Sequence, residues 1–446
     1  MGITVTNSPK PCEVTEYRDR SSSLTTARTL PRVGALAALV LFNALNASAE
    51  PPDPALEAHA HIRIEPQSSL SLREVIRTTA AQEAGTEVIA ARRAEADAFA
   101  WDAKRLWPEP PSLSANHVTD RIGTDDGYRQ WNTGLELPLW WPGQRRGRRN
   151  RARAAAAAAG HAEQAHLLEV AGWVRQAIAE LALAGVRVEL AEAEWRAEDA
   201  LADQIERAVA LQELSERDLL LARSASLDSR IHFLEALEES RHAEGDYALL
   251  TGLSASPSDW TEATSERTTL EAHPLLLLAR ENIARAEAEI RKLQNDQWGH
   301  PVVAFGSQHE RDAGNDDFDN RILAGLRIPL GRRGDTRVEL AMAQRALAES
   351  QRDTRRLERR LQGALAQAEH RLALAGERAR TATERARMAS EYRRLTEIGF
   401  GLGEADPGTL LRARALATSA EQTRRETQIL YQFGIAELNQ ALGVIP

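Results

Sequence analysis

The 446-residue chain is poor in cysteine, in aromatic residues and in long apolar runs. Its single cysteine, Cys12, excludes an internal disulfide framework, and the chain has no CxxC motif or Cys/His cluster that would bind a metal. Beyond residue 50 no stretch reaches the roughly 18 consecutive apolar residues of a membrane-spanning helix. The formal net charge of −9 argues against a dedicated nucleic-acid binder.

Signatures of enzymes are also missing. The sequence contains no phosphate-binding GxxxxGK[ST] loop, no GxSxG, no HExxH and no Cys/His nucleophile pair. We therefore expect a protein without catalytic activity, cofactor or bound metal.

The beginning of the chain resembles an export signal. Arg28 and Arg32 precede the apolar run VGALAALVLF, and Ala47-Ser48-Ala49 supplies small residues for cleavage. We predict a secretory signal peptide over residues 1–49, followed by a Pro-rich lead-in over 50–70. The mature chain is expected to be exported.

The remainder of the chain is a duplication. Residues recur at a constant separation of 191 positions: Trp107 and Trp298, Pro138 and Pro329, Gly143 and Gly334, Gly252 and Gly443, and the segment LALAG at 181–185 and 372–376. The separation never changes, so the duplication carries no net insertion. It divides the chain into a first repeat over 71–252, a connector over 253–271 and a second repeat over 272–446.

Each repeat is predicted to contain a helix, two strands around an acidic loop, a very long helix, a tip loop and a returning helix. Ser71 and Glu74 form a capping box before the first helix, which is expected to reach about Leu106. The predicted strands cover 110–119 and 130–139 in the first repeat, and 301–310 and 320–330 in the second. The long helices are predicted at about 148–211 and 335–398.

The strands alternate between apolar and polar residues. In the last strand Ile322, Ala324 and Leu326 alternate with Arg321, Gly325 and Arg327. Outer-membrane barrels show this pattern, with apolar residues facing lipid, and a half-buried soluble sheet gives the same alternation. The strands alone leave both interpretations open.

The long helices favour the membrane interpretation. Apolar residues keep a three-or-four spacing suited to coiled-coil packing, at Leu167, Val170, Val174, Ile178 and Leu181. Sixty residues at 1.5 Å each extend about 90 Å. Helices of this length cannot fold into one compact core and must pack side by side, so we predict a mainly α fold with a small β-barrel part.

These features together resemble the TolC-like outer-membrane efflux protein family over essentially the whole mature chain. The residues that carry the likeness are the strand ends LELPL and LRIPL with Gly143 and Gly334, the segment His273-Pro274-Leu275, and the tips LQELSERDLLLAR and GLGEADPGTLLRAR. The resemblance implies a homotrimer in the outer membrane, with a twelve-stranded β-barrel continued by a periplasmic α-helical tunnel. From the residues alone, four strands cannot close a barrel, and a dimer, a trimer and a tetramer all remain possible.

The resemblance also implies a function and partners. The chain would be the passive exit duct of a tripartite efflux system of the RND type, working with a periplasmic adaptor, or membrane fusion protein, and an inner-membrane efflux transporter. Two alternatives remain: the duct of a type I protein secretion system, and a periplasmic coiled-coil scaffold whose hairpins form a soluble sheet. Heavy metals, drugs and proteins are all possible cargoes.

Two groups of candidate site residues follow. Tryptophan and arginine are favoured where a membrane meets water, so we predict a membrane-interface rim at Trp131, Trp140, Trp141, Arg145 and Arg146. The tips supply candidates for a pore constriction, namely Glu404, Asp406, Thr409, Arg412, Glu213, Glu216 and Asp218, and for adaptor docking, namely Leu214, Ser215, Gly401 and Gly403. The resemblance puts the family's acidic constriction positions at Thr409 and Arg412, which are not acidic here. Helix N-capping accounts for the tip acids equally well.

Overall fold

The computed structural model describes residues 63–314, 317–331 and 336–446. The predicted signal peptide, most of the lead-in and the segment 332–335, which includes Gly334, lie outside these described residues. No helix within them is both long enough and apolar enough to cross a membrane.

The first repeat contains two short helices, a hairpin, a long helix and a returning helix. Its elements are β1 (Glu65–Gln67), α1 (Leu72–Gln82), α2 (Gly85–Lys104), β2 (Ser112–Thr119), β3 (Arg129–Pro138), α3 (Gln144–Ala210) and α4 (Glu216–Thr251). The connector and second repeat contain β4 (Ala255–Pro257), α5 (Pro274–Asp296), β5 (Val302–Arg311), β6 (Asp319–Arg327), α6 (Thr336–Gly401) and α7 (Pro407–Ala441).

The 191-residue repeat is visible in the backbone. The helices α4 and α7 begin 191 residues apart. Left-handed backbone conformations recur at the same separation: Gln212 and Gly403 in the two tips have φ values of 63° and 75°, and Gly252 and Gly443 after the returning helices have 67° and 73°. The two halves therefore follow the same chain path even where their residues differ.

The first predicted helix, from 71 to about 106, is wrong as a single element. The structure has α1 and α2, separated at Glu83, whose backbone is extended with φ −73° and ψ 141°. The first turn of α2 packs closely on α3. A Cβ atom added at Gly85 would lie only 2.4 Å from the His166 ring, so only glycine fits at this position without a shift of His166. Thr86 then donates a hydrogen bond of 2.7 Å to the Ala80 carbonyl across the break.

Two short strands were not predicted. The strand β1 in the lead-in pairs in parallel with β4 in the connector, with Glu65 opposite Ala255 and Gln67 opposite Pro257. Three residues are too few to show a periodic pattern. The strand β6 is shorter than expected and ends at Arg327, which is opposite Val302, the first residue of β5. Pro329 follows and has no N–H to donate to a sheet.

The main apolar core joins the start of the first repeat to α3. The long-helix residues Val170, Val174 and Ile178, predicted from their spacing, are fully buried against Val75 and Ile76 of α1. Tyr247 of α4 closes this core, and its hydroxyl donates to the Ala255 carbonyl of β4 at 3.0 Å. The connector is thereby held against the helices.

A buried charge network fastens the connector to both repeats. Arg175 of α3 forms two hydrogen bonds with the carboxylate of Glu262, at 2.6 and 2.7 Å, and both side chains are buried. The Arg175 guanidinium also donates to the Gln440 side chain and to the Val444 carbonyl near the C-terminus. Asn439 also donates to the Glu262 Oε2 atom, at 2.9 Å. The sequence pattern gave no indication of this network, since its members are far apart in the chain.

Candidate functional site

The two hairpins form one antiparallel sheet in the order β2-β3-β5-β6. The centre of the sheet joins the two repeats, because β3 pairs with β5 from Arg129 opposite Arg311 to Pro138 opposite Val302. The strands β2 and β6 lie at its edges, and among the described residues neither has a partner on its outer side. A single chain therefore leaves two rows of backbone hydrogen-bonding groups open.

The register of the sheet sorts its side chains into an apolar and a polar face. Residues in register lie on the same face, and alternate residues along a strand lie on opposite faces. The apolar face carries the rows Leu137–Val303–Leu326, Leu113–Leu135–Phe305–Ala324, Ala115–Thr133–Ser307–Ile322 and His117–Trp131–His309–Asn320. The opposite face carries Asn116, Gln130, Asn132, Glu136, Gln308, Glu310, Arg321 and Arg327 among others.

The apolar face is exposed in the single chain. Ile322 is 91% exposed and Leu326 is 63% exposed. The polar face is connected instead by hydrogen bonds and ion pairs, including Arg327 to Glu136 at 2.5 Å and Arg321 to Glu310 at 3.0 Å. An extended apolar face next to a satisfied polar face is the arrangement of a sheet that faces a non-aqueous medium.

Trp131 does not lie with the other predicted rim residues. It is at the loop end of β3, opposite His309, whereas Trp140 and Trp141 follow the other end of the same strand. About six residues separate the first and last rows of the apolar face, which corresponds to about 20 Å at 3.3–3.4 Å per residue. Trp131 stacks on His117 with ring centroids 4.0 Å apart. The predicted rim residues are therefore divided between the two ends of the apolar face, with Trp131 at the loop end and Trp140 and Trp141 at the end next to the helices.

Trp140 connects the sheet to the helices. Its indole N–H donates to the Leu106 carbonyl at 2.8 Å, and the Arg148 guanidinium lies 5.1 Å from its ring centroid. Arg148 in turn forms a 2.8 Å ion pair with Asp102 of α2 and lies 3.6 Å from Asp296 of α5. One arginine thus ties α3 to the neighbouring helices of both repeats.

Gln144 and Arg148 are the residues at this junction that sequence reasoning missed. Gln144 is fully buried at the start of α3, where its side chain accepts from the Trp141 N–H at 2.9 Å and donates to the Gly299 carbonyl at 3.0 Å. The sequence signal nearest to them is the Pro142-Gly143 turn, which precedes α3 and so places both residues in its first two turns. Of the predicted rim arginines, Arg145 is half-buried and Arg146 is exposed.

The tips of the two repeats begin their returning helices with side-chain caps. Ser215 and Asp218 form a capping box at the start of α4, and hydrogen bonds from Ser215 lower the pKa of Asp218. Asp406 caps α7 by accepting from the Thr409 N–H at 2.9 Å, and Pro407 occupies the first helical position. Hydrogen bonds from Thr409 lower the pKa of Asp406. Capping thus accounts for Asp406 and Asp218 without a pore.

The two tips pack against each other. Leu201, Ala202 and Ile205 of α3 form a buried cluster with Ala222 of α4 and Leu410 of α7, and Leu214 and Phe400 pack on its border. The structure thereby brings together the tip segments 211–223 and 397–414 that the sequence pairs. Leu214 is only half-buried, and Ser215, Gly401 and Gly403 are exposed.

Arg412 does not pair directly with the tip acids within the described residues. Its guanidinium donates to the Thr409 hydroxyl at 2.9 Å, and that hydroxyl donates to Asp406 at 2.6 Å. The Thr409 side chain therefore lies between the two charges. Glu213, Glu216 and Glu404 are exposed, and the described residues contain no group of His, Cys, Asp and Glu that could hold a metal ion.

Comparisons with known proteins agree on the fold. No protein-family model and no curated protein sequence matches the chain. Among solved structures, a membrane protein from Pseudomonas aeruginosa matches with a TM-score of 0.65 at 15% identity, covering 85% of this chain and 91% of that one. The outer membrane protein VceC from Vibrio cholerae matches with a TM-score of 0.64 at 17% identity, covering 84% of this chain and 96% of that one.

The outer membrane channel CmeC from Campylobacter jejuni is also similar, with a TM-score of 0.62 at 14% identity over 90% of this chain and 94% of that one. These likenesses cover most of the chain, and they confirm the predicted mainly helical fold with few strands. The protein has the fold of the TolC-like outer-membrane efflux channels.

Proposed function

We propose that the protein is an outer-membrane channel that conducts substrate passively out of the cell as the exit duct of a tripartite efflux system. The observation that carries this proposal is the four-stranded sheet, which exposes one apolar face and two unpaired edges. Unpaired edges are not tolerated in lipid, so the sheet needs strands from further copies of the chain. The fold shared with outer-membrane channels supports the same role.

The proposed assembly is a homotrimer with a twelve-stranded barrel. In it β2 of one copy pairs with β6 of the next, and the apolar rows face lipid around the whole circumference. The apolar face, about 20 Å tall, is close to the band of roughly 25 Å found on barrels of the outer membrane. Trp131 and Trp140 then lie near the two membrane interfaces, where tryptophan is favoured.

The proposed orientation puts the hairpin loops 120–128 and 312–318 outside the cell and the long helices in the periplasm. The helix α3 contains 67 residues, so it extends about 100 Å from the membrane. The tips at its far end are the proposed site for the adaptor and for the constriction of the tunnel. Leu211 and Leu402, which are repeat-related and exposed, add apolar surface there.

Thiol labelling tests the orientation. Cys12 lies in the predicted signal peptide, so the mature chain is expected to be free of cysteine. Cysteines placed at the repeat-related positions Asp126 and Asp317 should react on intact cells with a reagent that cannot cross membranes. A cysteine at Glu404 in the tip is the matched control and should react only after the outer membrane is opened.

Fractionation tests the location independently. The protein should sediment with the outer membrane, require detergent for release and run as a trimer. Recovery in the soluble periplasmic extract without detergent would contradict the proposal and favour the coiled-coil scaffold.

A further inference from the structure

A groove between α4 and α7, with α3 as its floor, contains two neighbouring cavities. The upper cavity, of about 470 Å³, includes Arg187 of α3, Glu239 of α4 and Glu426 of α7. The lower cavity lies nearer the tip and has a volume of about 340 Å³, within the usual range for small-ligand sites. We call it the Glu198 cavity, because Glu198 of α3 contributes its most buried ionisable side chain.

The upper cavity contains its own cation. Arg187 forms ion pairs with Glu239 at 3.0 Å and with Glu426 at 2.8 Å, and so joins all three helices. Glu198 follows Arg187 by eleven residues, which is three turns of an α-helix, and therefore lies on the same side of α3. Arg187 therefore lies between two carboxylates in the upper cavity, and Glu198 lies three turns further along the same side of α3 in the lower cavity.

Arg412 is part of the lining of the Glu198 cavity, but no described residue forms an ion pair with Glu198. Glu198 is 6% exposed, and no described residue donates a hydrogen bond to its Oε2 atom. Glu194, one turn earlier, and Asp228 of α4 add two further carboxylates to the lining. A buried carboxylate oxygen without a donor is costly, and this cost is relieved when a cation binds.

Two arginines lie close to Glu198, Arg412 in the cavity lining and Arg414 within electrostatic range, but both donate their hydrogen bonds to other groups. Arg412 donates to the Thr409 hydroxyl at 2.9 Å. Arg414 donates to the Ala197 carbonyl at 3.1 Å and lies 3.6 Å from Glu397. His232 at the mouth of the cavity is exposed. In the upper cavity the Arg187 guanidinium pairs with the carboxylates. In the Glu198 cavity no side chain of the described residues takes the equivalent role, so a cation from outside the chain can do so.

The duplication supplies an internal control. The residue related to Glu198 by the repeat is Ala389, which is buried among Ala386, Ala417 and Ala420. Coiled-coil packing at this level is thus satisfied by alanine, and it does not require a carboxylate. The first repeat differs by having both an acidic floor and an open volume above it.

We propose that the Glu198 cavity binds a single guanidinium or alkylammonium group carried on an aliphatic stem. The carboxylates of Glu198, Glu194 and Asp228 would hold the cation, and the apolar lining of Leu221, Ala225 and Leu411 would contact the stem. The cavity lies within one chain, so the proposal does not depend on the membrane function.

The ionisation of the lining adds a pH dependence. Burial raises the pKa of Glu198 and of Glu194 above the ordinary value for glutamate. Cation binding should therefore strengthen as the pH rises and these two carboxylates ionise. Asp228, His232, Arg412 and Arg414 also face this region.

The test uses the detergent-purified full chain and two matched small probes, butylguanidine and the neutral butylurea, in ligand-observed NMR titrations at low salt. Butylguanidine should bind at least about tenfold more tightly than butylurea. Glu198→Gln should weaken its binding about tenfold or more, as expected for a hydrogen bond to a charged group. The exposed Glu369→Gln on α6 is the control and should leave the affinity unchanged.

A second variant separates binding from folding. Ala225→Leu introduces the residue found at the repeat-related position 416 and fills the cavity while keeping every carboxylate, so butylguanidine binding should be lost. The thermal midpoint of Glu198→Gln should not fall below that of the unmodified protein, because the change removes an unpaired buried charge. Equal binding of the two probes to the unmodified chain, or butylguanidine binding unaffected by both variants, would overturn the proposal.

Two peptide probes identify the source of the cation. One is an alanine-rich helical peptide with a single arginine, and the other has citrulline, a neutral isostere, at the same position. Binding of the arginine peptide at least tenfold more tightly than butylguanidine would assign the site to a side chain of a partner helix. Equal or weaker binding of that peptide would assign it to a free cationic solute.

Discussion

The long helices α3 and α6 occupy equivalent places in the two repeats and have almost the same length, 67 and 66 residues, yet they differ in burial. The helix α3 packs against α1, α2, α4, α5 and α7, whereas α6 packs mainly against α5 and α7. Large apolar side chains consequently remain exposed on α6, at Val338, Met342, Leu374, Met388, Tyr392 and Leu395.

The two long helices therefore have equivalent positions in the repeats, but within one copy of the protein α3 is packed against more neighbouring helices than α6. The long helix of the first repeat, α3, is covered by helices of its own chain, and Arg175 fastens the connector to it. The long helix of the second repeat, α6, is exposed, and among the described residues each repeat has one open sheet edge, β2 or β6. Further copies of the chain would cover α6 and pair with the open sheet edges, which is consistent with the proposed trimer. Substitutions at repeat-related positions can show which properties the two repeats have in common and which differ.

The largest effect on assembly is expected for substitutions on the apolar face of the sheet, to which both repeats contribute. Leu135 of β3 and Leu326 of β6 are repeat-related and both lie on the apolar face, with exposures of 39% and 63%. A lysine at a lipid-facing position costs about 2–4 kcal/mol near the membrane centre and about 0–1 kcal/mol near an interface, and a trimer carries three copies. Leu135→Lys should greatly reduce the amount of trimer in outer-membrane extracts, measured by gel mobility without heating. Leu326→Lys should reduce it less, because Leu326 lies in the end row of the apolar face.

The control for this prediction is Leu323→Lys, because Leu323 lies on the opposite face of β6. It should assemble normally. Normal assembly of Leu135→Lys would mean that this face does not contact lipid, and a larger defect in Leu326→Lys than in Leu135→Lys would contradict the proposed depth of the two rows.

The next largest effect, a loss of folding stability, is expected from the buried ion pair of the first repeat. The position related to Arg175 is Ala366, which is exposed, so only the first repeat has a buried cation at this level. Removing one member of a buried ion pair typically costs about 3–5 kcal/mol. Glu262→Ala should therefore lower the free energy of unfolding by this amount in denaturant titrations.

The double variant Arg175→Met with Glu262→Leu tests the cause. It replaces both charges by apolar groups and should recover most of the lost stability. If the double variant is less stable than Glu262→Ala alone, the network does more than neutralise a buried charge.

One pH dependence of stability should come from a histidine of the second repeat that has no titratable counterpart in the first. Burial lowers the pKa of His273 to about 4, and its Nδ1 accepts from the Leu275 N–H at the start of α5. The unfolded chain, with an ordinary histidine pKa near 6.5, binds more protons between these values, so stability falls as the pH drops from about 6.5 to about 4. The loss is about 3 kcal/mol.

The repeat-related residue at position 82 is glutamine, which does not titrate. His273→Gln should therefore flatten this part of the stability curve, measured by thermal denaturation between pH 7 and pH 4. An unchanged slope would locate the pH dependence in other groups.

The smallest effect compares the glycines after the two returning helices. Alanine in a left-handed conformation costs about 1–2 kcal/mol at either position. A Cβ at Gly443 would lie 2.6 Å from the Pro274 ring and 2.8 Å from His273, whereas a Cβ at Gly252 would lie 2.5 Å from the flexible end of Gln82. Gly443→Ala should therefore destabilise more than Gly252→Ala in denaturant titrations, and equal losses would mean that His273 and Pro274 move aside as easily as Gln82.

Much of the fold could be predicted because it depends on periodic or repeated residues. The 191-residue repeat, the alternation in the strands and the spacing of Val170, Val174 and Ile178 are local patterns that report which faces become buried. The observed strands and long helices lie within a few residues of their predicted bounds, apart from the early end of β6 at Arg327. The break between α1 and α2 was missed although Gly85 lies beside it, because a single glycine inside a helical pattern does not by itself end a helix.

The candidate sites were predictable only in part. Capping by Asp406 and Ser215 follows from the local sequence, and the structure bears it out. The position of Trp131 at the far end of the apolar face depends on the strand register, which composition does not reveal. Gln144 and Arg148 were missed because their partners come from other helices.

The amino-acid sequence by itself determined the duplication, the identity of each element and the apolar face of each strand, because these follow from short-range periodicity along the chain. Only the tertiary structure decided which residues of the two halves meet. Arg175 with Glu262, Trp140 with Arg148 and the unpartnered Glu198 beneath α4 and α7 all depend on contacts between segments far apart in the chain. The two repeats have the same order of elements, but the burial and the partners of equivalent side chains differ because different neighbouring segments pack against each repeat.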